Sequence, residues 1–316
     1  MQFAFFTLFF HISLCSFGQA LRMFTILGLI LRMLVLKYNT NSFKKRILKM
    51  IIDFHTHAFP DKVAEKAIPK LSGIGGIEPC RDGTVSSLLA GMDAWHIDRA
   101  VILNIATNPK QQTNVNNFAI EINSTSERLY ALGSINPDSD NIASEARRLA
   151  DAGIRGIKIH PDYMGVTVDD GKFDAVYREC IDNDLFVVTH SGWDFISPDF
   201  IHCTPERICR VLEKFPALKL VAAHMGANKQ WDDVERLLIG KNLWIETSLA
   251  PMFELDGSQC ARMLKNHDPD KILFGSDCPW YRMDSEAAYV ESLELSDALK
   301  RKLYYENALA LLGELK

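Results

Sequence analysis

The sequence predicts an α/β fold: a (β/α)8 TIM barrel with a C-terminal helical segment. Three observations carry that expectation. Eight short apolar, β-branched runs recur after residue 50. Segments with helical spacing alternate with them, and several of the runs end in histidine. Strand–helix units in strict alternation build a parallel sheet with helices outside, and eight of them close it into a barrel.

The runs cover residues 51–54, 100–105, 130–135, 156–160, 185–190, 218–224, 243–247 and 271–275. Most are too short for helices and almost continuously apolar, as strands buried on both faces are. Helical spacing is present over 84–96, where Val85, Leu88, Leu89, Met92 and Trp95 recur, and over 114–126. The segment 141–152 stops at Gly153, a residue suited to a helix C-terminus. After 173–183, the segment 204–215 opens with Thr204-Pro205-Glu206, an N-cap followed by proline at the first helical position. Segments 231–239, 258–267, 285–293 and 296–312 complete the set. The longest insert, 58–83, follows the first strand, holds several Gly and Pro residues and is expected as a loop that lids the site.

With 316 residues, 47% hydrophobic and 24% charged, the chain is long enough for one large domain with a sizeable core. Residues 1–49 differ from the rest. They hold seven Lys or Arg and no Asp or Glu, so a net charge of −5 divides into +7 there and −12 over 50–316. Two domains are expected: an apolar, basic extension over 1–49 and a barrel over 50–316. Met50, one residue before the first strand, is the preferred start, with 1–49 as an upstream extension. The rival is a signal or membrane anchor, since 3–17 and 23–36 are apolar. The second of these is interrupted by Arg32 and short for a membrane span. The expected location is cytoplasmic, or membrane-associated if the extension is an anchor, because the basic cluster follows the apolar part. Seven cysteines, an odd number without a zinc-like CxxC pair, indicate reduced thiols. The acidic body excludes nucleic acid as a partner. A small-molecule substrate is expected, and a homodimer is compatible with the sequence.

The chemistry gathers at the strand ends. The first run continues as Ile51-Ile52-Asp53-Phe54-His55-Thr56-His57. Residues i and i+2 share a strand face, so the two imidazoles are placed to hold one ion. His160, His190 and His224 end the fourth, fifth and sixth runs, and Asp277 follows the eighth. A lone strand-end histidine is ordinarily a hydrogen-bonded structural residue. Five histidines and an aspartate at one barrel face point instead to a divalent metal, zinc first, with manganese or iron allowed. His11, His96, His202 and His267 lie elsewhere and are expected to be structural or on the surface. Lys158 shares strand parity with His160 and is expected in a buried ion pair, with Glu246 as its partner.

Ile-Asp-Phe-His55-Thr-His57, Thr-His190-Ser-Gly, Ala-His224-Met-Gly and Phe-Gly-Ser-Asp277-Cys-Pro resemble the amidohydrolase-related family of metal-dependent barrels. The resemblance runs from Ile51 to Asn307 and beyond, and does not cover residues 1–49. It implies one metal held by His55, His57, His190 and Asp277. It further implies that His224 faces substrate or the attacking water, that Asp277 accepts the water's proton, and that His160 lies near the substrate. The implied activity is hydrolysis of an amide, lactone or ester of a small molecule. The alternative is non-oxidative decarboxylation of an aromatic or unsaturated carboxylic acid. A scaffold with a structural metal is disfavoured, because structural zinc sites are closed and usually cysteine-rich.

Overall fold

The computed structural model describes residues 50–314. The readings attached to the extension 1–49 lie outside them. Among the described residues no helix is long and apolar enough to cross a membrane.

Eight parallel strands form in chain order: β1 (Ile52–Thr56), β2 (Arg99–Leu103), β3 (Leu129–Leu132), β4 (Gly156–Ile159), β5 (Phe186–Thr189), β6 (Leu220–Ala222), β7 (Trp244–Glu246) and β8 (Ile272–Leu273). They pair as two arcs, β1-β2-β3 and β4-β5-β6-β7-β8. Single parallel bridges join the arcs at both seams, Gly133 to Ile157 and Thr56 to Cys278. The fold is the expected α/β TIM barrel.

Each strand is sandwiched between barrel interior and outer helices, so β-branched and aliphatic side chains occupy both faces. Val187, Val188, Leu220, Val221, Ile245 and Ile272 are fully buried. The interior also takes charge: Asp53 and Lys158 are fully buried, and Glu246 nearly so. All three sit one alternation below a site residue, on the face that the period of two carries into the barrel.

The helices begin where local chemistry allows. Thr84 accepts a hydrogen bond from the Ser87 N–H and opens helix Val85–Trp95. Thr204 does the same for Pro205–Lys214. Helix Pro109–Thr125 starts five residues before the expected 114, because Asn108 caps it and Pro109 occupies its first turn. The C-terminal segment is helical throughout but passes through a wider π turn at Lys302–Glu306. There the Leu303 carbonyl accepts the Phe274 N–H at 2.9 Å, and the Asn307 amide donates to the carbonyls of Pro269 and Ile272. The segment is thereby fastened to the end of the barrel sheet.

The insert after β1 departs from expectation. It contains a helix, Asp61–Gly75, in place of an irregular loop. Val63, Ala64, Ala67, Ile68, Leu71 and Ile74 recur at helical spacing, and this periodicity outweighs the single Pro69 within it.

Candidate metal centre

The strand ends converge as barrel geometry requires. His55 and His57 leave β1 on one face, and Asp277 lies beyond β8. The Asp277 Oδ1 atom is 3.3 Å from His55 Nε2 and 2.9 Å from His57 Nε2. The other ring nitrogens are committed. His57 Nδ1 faces the Leu103 carbonyl at 2.9 Å, and His55 Nδ1 faces Glu246 Oε1 at 2.8 Å. A carbonyl and a carboxylate only accept, so both Nδ1 atoms carry the proton. Both Nε2 atoms therefore present lone pairs to an acidic oxygen that has no hydrogen-bond partner of its own. Two lone pairs and a carboxylate meeting in a buried place fit a divalent cation, with the outer bonds fixing ring orientation. Burial holds His55 well below the usual imidazole range, which keeps it neutral as a ligand must be.

Glu246 organises the next layer. Its Oε1 accepts from His55, from Ser248 Oγ at 2.8 Å and from the His224 N–H at 2.9 Å, and its Oε2 accepts from the Ser248 N–H at 2.7 Å. The expected Lys158–Glu246 ion pair is therefore not formed. Lys158 Nζ is buried with no hydrogen-bond partner among the described residues. Burial pushes the Lys158 amine down to about 8, opposed by the charges of Glu246 and Asp277. Gly275 makes room for this layer: a Cβ there would lie 2.4 Å from Glu246 Oε2 and 2.8 Å from His55 Cβ.

His224 and Asp277 both adopt left-handed backbone, with φ of 60° and 70°. Such non-glycine residues cost about 1–3 kcal/mol each unless the surroundings hold them. Here the Asp277 N–H donates to the His55 carbonyl at 2.7 Å, and the His224 N–H is the one held by Glu246. The His224 ring bridges two neighbours, Ser248 Oγ at 2.8 Å through Nδ1 and His190 Nδ1 at 3.0 Å through Nε2. His160 stacks on His190, with ring centroids 4.2 Å apart. The structure thus gathers His55, His57 and Asp277 tightly at one point. It places His190 beside His224, His160 and Asp194.

Asp194 and the organising role of Glu246 were not anticipated from the sequence. Glu246 and Ser248 share parity at the end of β7, which was a usable signal. Asp194 lies in the loop after β5, where no periodicity marks a residue. His267 is structural: its Nε2 faces the Leu243 carbonyl and its Nδ1 accepts the Gly240 N–H.

Above these groups opens a cavity of about 600 Å³. Phe59, Tyr163, Trp193, Phe195, Phe253 and Trp280 form much of its wall. Its cationic side chains are Lys70, Lys110 and Lys158, and no arginine lines it among the described residues.

Comparison with known proteins agrees with this architecture. An uncharacterized TIM-barrel protein of Bordetella bronchiseptica superposes with a TM-score of 0.66 at 19% identity, over 84% of this chain and 99% of that one. The 5-carboxyvanillate decarboxylase of Novosphingobium aromaticivorans, crystallised with manganese and 4-hydroxy-3-methoxy-5-nitrobenzoic acid, gives 0.64 at 17% identity, over 84% and 96%. The 2,6-dihydroxybenzoate decarboxylase of Rhizobium gives 0.61 at 15%, over 84% and 99%. At these identities the likeness is one of fold. No curated protein matches the sequence. The family model for amidohydrolases matches residues 52–313, which takes in every strand and each of the convergent side chains described above; the chain belongs to the amidohydrolase family, whose members are metal-dependent enzymes.

Proposed function

We propose that the protein is a mononuclear metal-dependent hydrolase that cleaves a C–N or C–O bond of a small, largely apolar molecule. The observation that carries this reading is the open cradle of His55, His57 and Asp277 at the floor of a cavity. Three protein ligands with space beside them are the pattern of a catalytic site. A divalent ion there, zinc first and manganese or iron as alternatives, supplies a Lewis acid for a carbonyl and makes water acidic near neutral pH. Asp277 would both hold that ion and accept the proton of the water. In this reading His224, whose ring bonds Ser248 and whose N–H bonds Glu246, would stabilise an oxyanion or return the proton to the leaving group once its Nε2 exchanges His190 for substrate. His160, buried beside Tyr163, borders the substrate.

Two observations favour the second reading, non-oxidative decarboxylation of an aromatic or unsaturated acid. The wall is aromatic, which suits a planar substrate. Lys158 is an unpaired cation at the cavity floor, which suits a carboxylate. Hydrolysis is preferred because, among the described residues, no arginine lines the cavity to orient an acid by a bidentate contact. A panel of lactones, amides, esters and unsaturated carboxylic acids, assayed after chelation and metal restoration, separates the two. Metal-dependent release of acid without CO2 is expected. CO2 evolution from a carboxylic acid, with no hydrolysis of the other compounds, would replace the first reading by the second.

A further inference from the structure

We propose that the substrate carries an extended aliphatic chain, and that helix Asp61–Gly75 and the loop after β5 bind that chain. The inference rests on the cavity being the substrate space above the metal, and it names the class of molecule that fills it. Among the described residues four large apolar side chains are exposed: Val63, Ile74, Ile196 and Phe200. Single exposed apolar residues mean little, whereas a contiguous set marks a binding surface. Val63, Ile74 and Ile196 line the same cavity that holds His55, His57 and Asp277.

The helix shows how the set is built. Ala64 and Ile68 are its buried residues. Val63, Ala67, Leu71 and Ile74 also recur at helical spacing, and all four line the cavity. They form a second apolar stripe, which packing against the body does not require. From Val63 to Ile74, at 1.5 Å per residue, the stripe is about 16 Å long, far longer than an aromatic ring. Val63 and Ile74 are each 47% exposed, so the described chain leaves both ends of the stripe open.

The surroundings select an aliphatic occupant. Of the helix residues at the cavity only Lys70 is charged, and its stem is apolar. The carboxylates that line the cavity are Asp194 and Asp277, both among the strand-end groups. Ile77, Ile105 and Val115 continue the aliphatic lining beyond the helix. The rings of Trp193, Phe195 and Phe253 already have partners. Their centroids lie 4.6, 5.8 and 5.9 Å apart, and Lys229 Nζ stands 3.4 Å from the centre of Trp193 and 4.7 Å from that of Phe253. The aliphatic stripe is the apolar surface left without a partner. The reacting group lies at His55, His57 and Asp277, and the chain runs from it along the helix to the mouth, where Ile196 meets it.

Isothermal titration of the metal-restored full-length protein with butano-, hexano- and decanohydroxamate tests this. The hydroxamate head binds a divalent ion, and only the chain differs. Affinity should rise about 2–4-fold per methylene, so decanohydroxamate should bind ~10-fold or more tightly than hexanohydroxamate. Val63→Asn and Ile74→Asn, changes at exposed helix positions that leave the fold intact, should each weaken decanohydroxamate ~3–10-fold more than butanohydroxamate. Equal affinity along the series would overturn the proposal. So would decanohydroxamate binding that neither variant weakens, or no binding by any of the three. Sedimentation of the same proteins covers the rival occupant: a dimer that both variants dissociate, with the chain-length dependence unchanged, would make the stripe a contact between copies and overturn the proposal. Failure of the metal-site reading would appear separately, as a chain-length dependence that survives chelation. No turnover is measured, so the choice between hydrolysis and decarboxylation does not enter.

Discussion

His224 separates presence at the site from a role in the chemistry. Both ring nitrogens are bonded, to Ser248 and His190, and neither lies against Asp277 Oδ1. His224→Asn should therefore retain the ion at His55, His57 and Asp277 while kcat/KM falls by roughly 10²–10⁴-fold, the usual contribution of a proton-transfer group. Bound metal and kcat/KM measured on the same preparation check this. Loss of that ion in the variant would make His224 a ligand. Full activity would leave it only a structural bond between β6 and β7. The neighbouring burial of Asp53 has a different meaning. Desolvation pushes its carboxyl up to about 7, while Ser276 and the His55 and Ser276 N–H groups pull it back. Its bonds cross from β1 to the residues after β8, so it holds one seam of the barrel.

At the scale of elements, helix Asp61–Gly75 has two faces with two duties. Ala64 and Ile68 are buried against the body, whereas Ala67, Leu71 and Ile74 face the cavity. A Cβ added at Gly75 would lie 3.6 Å from the Phe195 ring in the loop after β5. The helix is thus a wall of the substrate space. Leu71→Ala should raise KM by about 5–30-fold, the effect of losing 1–2 kcal/mol of apolar contact, with little change in kcat. Steady-state kinetics on the first substrate identified by the panel will show it. A fall in kcat with KM unchanged would mean that the helix positions the chemistry and does not merely enclose it.

For the whole molecule, the eight strands, the outer helices and the C-terminal fastening all arise from residues after Met50. Residues 50–316 expressed alone should fold cooperatively and match the full chain in kcat/KM within about twofold, as expected when no contact that sets the barrel is removed. Circular dichroism melting and kinetics of both forms are the measurements. An insoluble or inactive shorter form would make residues 1–49 part of the enzyme.

The strands were legible in the sequence because burial on both faces forces nearly unbroken apolar runs, and Val187-Val188 or Leu220-Val221 admit little else. The pairing of His55 with His57 was legible for a related reason: the period of a strand places them on one face whatever surrounds it. Helix Asp61–Gly75 carries apolar residues at helical spacing, but Pro69 and its glycines disfavour a helix on local propensity, and packing of Ala64 and Ile68 overrides them. What surrounds the site was decided only in three dimensions. Glu246 is 191 residues from His55 in the chain, and no local pattern announces that its carboxylate will meet that imidazole in place of the Lys158 amine. Asp194 comes within 3.7 Å of His160 and 3.6 Å of His190 only because the loop after β5 folds back over them. Periodicity reports which face a side chain takes; a carboxylate's partner depends on which strands barrel closure makes neighbours, and that is a property of the tertiary structure.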